Sequence, residues 1–288
     1  MKIFCKELNQ DFETPEQMFK ALLDNKDKII GLKKAAIKCS EEIPAKFLRF
    51  KDDVETKALG WVEKDYLYPV INTTNLMDSH SDVHLKGIWN KSIKEQQGSV
   101  HYVVEHELKV SSVIAYPKDV EIMVKDIDWK DLGQGFEGTT QALIFKTNVF
   151  DYSNDSARKA IEHKAPVQHS VRMQYVKVEL AINSKSPDFL KEKEAYDKYL
   201  PEIVNKDVVE KQGYFWAVAE AKIYKEGSMV LFGSNSVTPM IEYSGLPPSG
   251  LPPAEPPQKG TQNEPSADTR KVDMGAVKSI LKTFKNLK

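Results

Sequence analysis

Ser170 and His106 have the side-chain types that nucleophilic catalysis needs, and each stands at the end of a β-like stretch of sequence. Ser170 opens the β-rich run that continues to Ile182, and His106 closes the run that begins at Val100. A serine hydroxyl becomes an effective nucleophile when the fold brings a histidine close enough to take its proton. His169 is poorly placed for this role, because neighbours in an extended segment point to opposite faces. The pattern therefore indicates Ser170 and His106 as a candidate catalytic pair.

Two further stretches stand before and after this pair, namely Asp78 to Trp89 and Glu226 to Asn235. In this order and spacing, the stretches resemble the prohead (capsid-maturation) serine proteases of tailed phages, which are distant relatives of the herpesvirus assemblins. The resemblance covers residues 60–240 or so. It implies that Ser170 attacks the peptide carbonyl and that His106 acts as the general base. It also implies that Glu226 orients His106, with Glu220 as the alternative, since the two would share a face on a regular strand.

Arg172 is the main departure from that family pattern, which commonly has glycine two residues after the serine. Backbone amides near Arg172, together with its side chain, are expected to stabilise the oxyanion. The same departure supports a second interpretation, in which the chain is a catalytically inactive member of the fold that serves as a scaffold or capsid-interior protein.

His80, Asp82 and His84 form a third candidate site. Alternation along a strand would place these three potential ligands on one face, which is typical of a metal centre. A metal-dependent hydrolase therefore stays as another class of function. The family resemblance instead assigns the stretch to a polar turn near the site, and on that basis we expect no metal and no cofactor.

Short β-rich runs with few intervening helices predict an α+β fold with a mainly antiparallel barrel or sandwich. The resemblance narrows this to an assemblin-like β-barrel surrounded by helices. The strands are predicted near residues 66–71, 100–104, 110–116, 140–149, 171–182 and 214–232, and helices near 87–96 and 155–164.

Composition and charge patterning divide the chain into four segments. Six prolines between Gly245 and Pro257 predict a linker, and an apolar stripe with lysines near the end predicts an amphipathic helix. The predicted segments are a helical appendage at 1–44, a protease-like domain at 45–243 with a charged helical insertion at 186–212, a Pro-rich linker at 244–270, and a basic amphipathic helix at 271–288.

Bulk composition excludes several classes of protein. The net charge of −1 argues against binding nucleic acid through bulk electrostatics. No apolar stretch approaches the roughly 20 residues that span a membrane, and the two cysteines imply no disulfide framework. The family resemblance implies that the partners are phage scaffold and major capsid proteins, and the chain itself through self-association or autocleavage. It places the protein in the host bacterial cytoplasm, inside the procapsid.

Overall fold

The computed structural model describes residues 2–35, 47–51, 60–63, 65–231 and 237–244. The predicted basic helix at 271–288 lies outside these residues. So does the predicted Pro-rich linker, apart from its first residue, and so do residues 232–235, at the end of the stretch from Glu226 to Asn235 that carries the family resemblance.

The described residues form a mixed α+β fold of six helices and twelve strands. The helices are α1 (Pro15–Asp24), α2 (Lys26–Ala35), α3 (Asn90–Gln96), α4 (Asp155–Glu162), α5 (Leu190–Tyr199) and α6 (Lys206–Gln212). The strands are β1 (Ile3–Cys5), β2 (Gln10–Phe12), β3 (Phe47–Lys51), β4 (Leu67–Thr73), β5 (Asp82–His84), β6 (His101–Val104), β7 (Val113–Ala115), β8 (Glu121–Asp128), β9 (Thr139–Lys146), β10 (Gln168–Ile182), β11 (Tyr214–Val230) and β12 (Met240–Ser244).

Helix α1 begins as its sequence predicts, and both N-terminal helices pack onto the long strands. Thr14 caps α1 by accepting a hydrogen bond from the Gln17 amide, and Pro15 takes the first helical position. One face of α1 buries Met18, Phe19 and Leu22. These side chains join a core cluster with residues of β10 and β11, including Leu180, Ile182 and Trp216.

Strand β11 organises the first five-stranded sheet. It pairs antiparallel with β10 along nearly its whole length, from Tyr214 opposite Ile182 to Val230 opposite Gln168. On its other side, β6 runs parallel to its C-terminal part and β5 runs parallel to its N-terminal part. Strand β7 then pairs antiparallel with β6. Strand β11 thereby aligns residues of β10 on one side with residues of β6 and β5 on the other.

A second five-stranded sheet follows the order β3-β12-β4-β9-β8. Its inner face shares one hydrophobic core with the first sheet. Ile71 and Phe145 from the second sheet and Tyr102, Val171 and Met229 from the first all belong to this core.

The α+β class predicted from the sequence is confirmed. Among the described residues neither five-stranded sheet closes on itself. The helices of these residues include none that is long and apolar enough to cross a membrane.

Candidate active site

Ser170 lies on β10 directly opposite Ser228 on β11. Residues that stand opposite each other in an antiparallel pair point to the same face, with their Cβ atoms about 5 Å apart. Val103 on β6 is in turn aligned with Ser228, so Ser170, Ser228 and Val103 form one row across three strands. The candidate nucleophile therefore sits in a regularly paired part of the sheet.

His106 follows β6 and turns back over this row. Glu105 and His106 both have left-handed backbones, with φ of 51° and 56°. This conformation is unfavourable for residues other than glycine and persists where surrounding contacts enforce it. Two hydrogen bonds do so here: the Glu105 amide donates to the Met229 carbonyl at 2.9 Å, and the His106 amide donates to Ser228 Oγ at 3.0 Å.

The His106 ring is held by Glu226, whose side chain is fully buried. His106 Nδ1 lies 2.8 Å from Glu226 Oε1. An ionised carboxylate only accepts hydrogen bonds, so Nδ1 carries the proton and the lone pair of the neutral ring is on Nε2. This is the tautomer that a histidine needs in order to accept a proton from a serine.

A β-bulge in β11 directs Glu226 toward the site. The β10–β11 pairing jumps from Val171–Gly227 to Met173–Ile223, which leaves three residues of β11 outside the ladder. Lys225 within this bulge has a φ of 69°. Bulges re-aim side chains at the cost of ladder hydrogen bonds, and the pairing of β11 with β6 begins at Glu226 itself.

Arg172 also contacts this pair. Its Nε is 3.0 Å from Glu226 Oε1, which is close enough for an ion pair, although the N–H is not aligned for a hydrogen bond to that oxygen. A terminal guanidinium nitrogen donates to the His106 carbonyl at 2.6 Å. A buried carboxylate needs such compensation for its lost hydration. Arg172 therefore neutralises Glu226 in this conformation, and its side chain would have to leave these contacts to reach an oxyanion.

Ser228 is a member of the site that we did not predict from the sequence. Its Oγ donates to Glu226 Oε2 at 2.7 Å and accepts from the His106 amide at 3.0 Å. The sequence did hold a signal, because a residue two positions after Glu226 on the same strand faces the same way.

Glu220, the alternative acidic residue, lies elsewhere. It pairs with Lys177 at 2.6 Å and with Lys91 at 3.6 Å. The Lys177 hydrogen bond lowers the pKa of the Glu220 carboxyl. Of the two candidates, Glu226 is the one that contacts His106.

His169 and Ser170 point to opposite faces, as predicted. His169 is completely buried, and its Nδ1 donates to the Thr238 carbonyl at 2.9 Å. Burial lowers the pKa of His169 to about 4. His169 is therefore a core histidine on the far side of the strand from the candidate nucleophile.

Asp82 and His84, two of the three residues considered as metal ligands, form hydrogen bonds within the protein instead. Both lie on β5 and both contact the Tyr175 hydroxyl, which donates to Asp82 at 2.9 Å and lies 3.0 Å from His84 Nε2. Asp82 also binds Lys33 of α2 at 2.5 Å, and Lys33 makes a second bond, of 3.2 Å, to the His80 carbonyl.

The remaining partners of His84 fix its tautomer. Trp89 can only donate, and its Nε1 does so to Asn72 Oδ1 at 3.1 Å. The Asn72 amide nitrogen must then donate to His84 Nδ1, at 2.9 Å. His84 consequently carries its proton on Nε2 and donates a hydrogen bond to the Tyr175 hydroxyl oxygen. In the described part of the chain, no three His, Cys, Asp or Glu side chains are grouped in a way that could hold a metal ion.

His106, Glu226, Arg172 and Ser228 contact one another, and Ser170 stands opposite Ser228 in the strand pairing. The site thus offers an imidazole oriented by a buried carboxylate, with the Ser170 hydroxyl in the adjacent strand. Such a set can carry out proton transfer coupled to nucleophilic attack. Comparison with protein-family models, with curated proteins and with solved structures finds no match for this chain.

Proposed function

We propose that this protein is a serine endopeptidase of the phage prohead protease type. Support comes mainly from one contact, the 2.8 Å hydrogen bond between His106 and Glu226 on the sheet face that also carries Ser170. A buried carboxylate that orients a histidine beside a serine is the arrangement on which peptide hydrolysis by serine enzymes depends.

In the proposed mechanism, Ser170 Oγ attacks the scissile carbonyl while His106 Nε2 accepts the hydroxyl proton. His106 then gives this proton to the departing amine, and water releases the acyl group by the same steps in turn. Glu226 stabilises the imidazolium that forms between these transfers. Backbone amides near Arg172 stabilise the developing oxyanion in this proposal, as expected from the family resemblance.

The finer features of the family belong to this proposal as well. We propose that the two sheets around their shared core correspond to an assemblin-like barrel, and that the substrates are scaffold and coat-protein segments inside the procapsid, in the host cytoplasm. The chain itself is a further proposed substrate.

A catalytically inactive scaffold protein is the second candidate function, and two observations favour it. Ser170 is only 7% exposed, so a peptide carbonyl has limited access to its hydroxyl. The contacts of Arg172 with Glu226 and with the His106 carbonyl also hold in place the residue that would otherwise be available to an oxyanion.

Loss of the Ser170 hydroxyl separates these two functions. Wild type, Ser170→Ala and the control Ser156→Ala, which alters an exposed serine of α4, are incubated with purified scaffold and coat proteins and with a fluorophosphonate probe. The peptidase proposal requires that Ser170→Ala lose labelling and about 10⁴-fold or more of the cleavage rate, with the fold and the control unaffected. Absence of labelling and cleavage in the wild type, or equal cleavage by all three, would exclude a serine mechanism at Ser170.

A further inference from the structure

We propose that Ser228 is a positioning residue that holds His106 and Glu226 in register with Ser170. This inference deepens the proposed peptidase function and rests on it, since it assigns the device that assembles the catalytic residues. Ser228 would act only through its neighbours and would not touch the substrate.

The two hydrogen bonds of Ser228 have fixed directions. The His106 amide can only donate, so Ser228 Oγ accepts that bond, and the Glu226 carboxylate can only accept, so the hydroxyl proton points to it. Ser228 is fully buried. Its hydroxyl is therefore engaged at both ends, and no solvent competes for it.

Both partners of Ser228 lie next to irregular backbone. His106 and the residue before it are left-handed, and Glu226 follows the left-handed Lys225 of the bulge. His106 lies beyond the end of β6, and Glu226, although aligned with His101 of β6, has no partner on β10.

Ser228, by contrast, lies where β10, β11 and β6 pair in regular register. It stands opposite Ser170 on one side and is aligned with Val103 on the other. A hydroxyl at this point connects His106 and Glu226 to the strand pair that carries the nucleophile. A displacement of about 1 Å in such a group can cost about 10²-fold in rate, so this connection has a catalytic consequence.

Ser92 provides a matched control for a purely structural role. It is also a buried serine, and its Oγ accepts a hydrogen bond of 3.0 Å from the Ile223 amide of β11 while donating to Gln96. Ser92 thus matches Ser228 in burial and in having one accepted and one donated hydrogen bond, with a neutral amide oxygen in place of the carboxylate, and it lies on α3 outside the candidate site. Ser92→Ala is expected to show the stability cost of losing such a hydroxyl without the cost to catalysis.

The test compares Ser228→Ala, Ser228→Cys and Ser92→Ala with the wild type, using thermal unfolding, peptide cleavage and proton NMR. Ser228→Ala is expected to lower kcat by about 10- to 100-fold with KM within twofold, whereas Ser92→Ala leaves both within threefold. Ser228→Cys keeps a weak hydrogen-bond donor and acceptor, so its kcat should lie between those of the wild type and Ser228→Ala. If Ser228→Ala does not fold, Ser228→Cys takes its place in the comparison.

The NMR readout is independent of activity. The Nδ1 proton shared by His106 and Glu226 should give a low-field signal, which is assigned by its absence in His106→Asn. We expect this signal to weaken or shift in Ser228→Ala and to stay unchanged in Ser92→Ala. An unchanged signal, together with a kcat equal to that of Ser92→Ala, would overturn the positioning role. If Ser170→Ala cleaves normally, the peptidase proposal fails by itself, and the NMR comparison alone decides whether Ser228 positions His106.

Discussion

Replacement of His169 by asparagine should remove a specific part of the acid sensitivity of this protein. His169 is fully buried beside Ser170, and burial lowers its pKa from 6.5 to about 4. The folded protein therefore keeps this ring neutral at pH values at which the unfolded chain already binds a proton. Asparagine retains a donor near the Nδ1 position, where His169 donates to the Thr238 carbonyl, but it does not titrate.

The sign and size of the effect follow from linkage. Stability rises with pH wherever the unfolded state binds more protons. The contribution of His169 is therefore fully present above pH 6.5, and it is lost as the pH falls from 6.5 to about 4. A displacement of this size amounts to about 3 kcal/mol in total, of which about 2 kcal/mol is lost by pH 5.

Urea unfolding at pH 8 and at pH 5, at one ionic strength, measures this contribution. The wild type should lose about 2 kcal/mol more between these pH values than His169→Asn does, whatever cavity the substitution leaves, because a cavity costs the same at both. The exposed His163→Asn variant should behave like the wild type. Equal pH dependence in the His169 variant and the wild type would refute the assignment of His169 as a neutral core histidine.

Two further substitutions test the packing on which the site rests. In Gly227→Ala, the added Cβ would lie 2.6 Å from Cε2 of Phe145, so we expect thermal unfolding to show a loss of about 1–3 kcal/mol in stability. This loss should be smaller in the Gly227→Ala/Phe145→Leu double variant. A single variant as stable as the wild type would contradict this packing. Lys33→Met leaves the buried Asp82 carboxylate without its cation and should cost about 3–5 kcal/mol in urea unfolding. The exposed Lys20→Met control, which breaks a surface pair, should cost less than about 1 kcal/mol. Similar losses in the two lysine variants would show that the buried Lys33–Asp82 pair contributes no more to stability than a surface pair does.

Much of the secondary structure could be predicted, because local chemistry specifies it. The helix predicted near 155–164 corresponds to α4, and the strands predicted near 171–182 and 214–232 correspond to β10 and β11. Residues that favour helix starts, Thr14-Pro15 for α1 and Asn154 for α4, stand where those helices begin. Strand β5 was assigned to a polar turn on the family resemblance, and only the metal-site alternative placed Asp82 and His84 on a strand. Its burial is compensated by Lys33 and Tyr175, which are distant in sequence.

The candidate site could be predicted only in part, for a similar reason. The family motif pointed to His106 and Glu226, which do contact each other. The bulge at Lys225 has no sequence pattern of its own, since its left-handed residue is a lysine rather than a glycine. Arg172 contacts Glu226, whose position depends on that bulge, and the backbone carbonyl of His106. A pattern of side chains in the sequence cannot predict where a backbone carbonyl will lie.

Because β11 lies at the centre of its sheet, the candidate site cannot assemble until β11 has been synthesised. Ser170 and His106 both precede Glu226 and Ser228 in the chain. Their strands, β10 and β6, do not adjoin each other in the sheet, because β11 lies between them. Contacts this far apart in sequence form late in folding. A nascent chain thus carries the serine and the histidine without the strand that joins them, so a hydrolytic activity of the kind proposed would begin only after residue 230 had left the ribosome and β11 had paired on both sides.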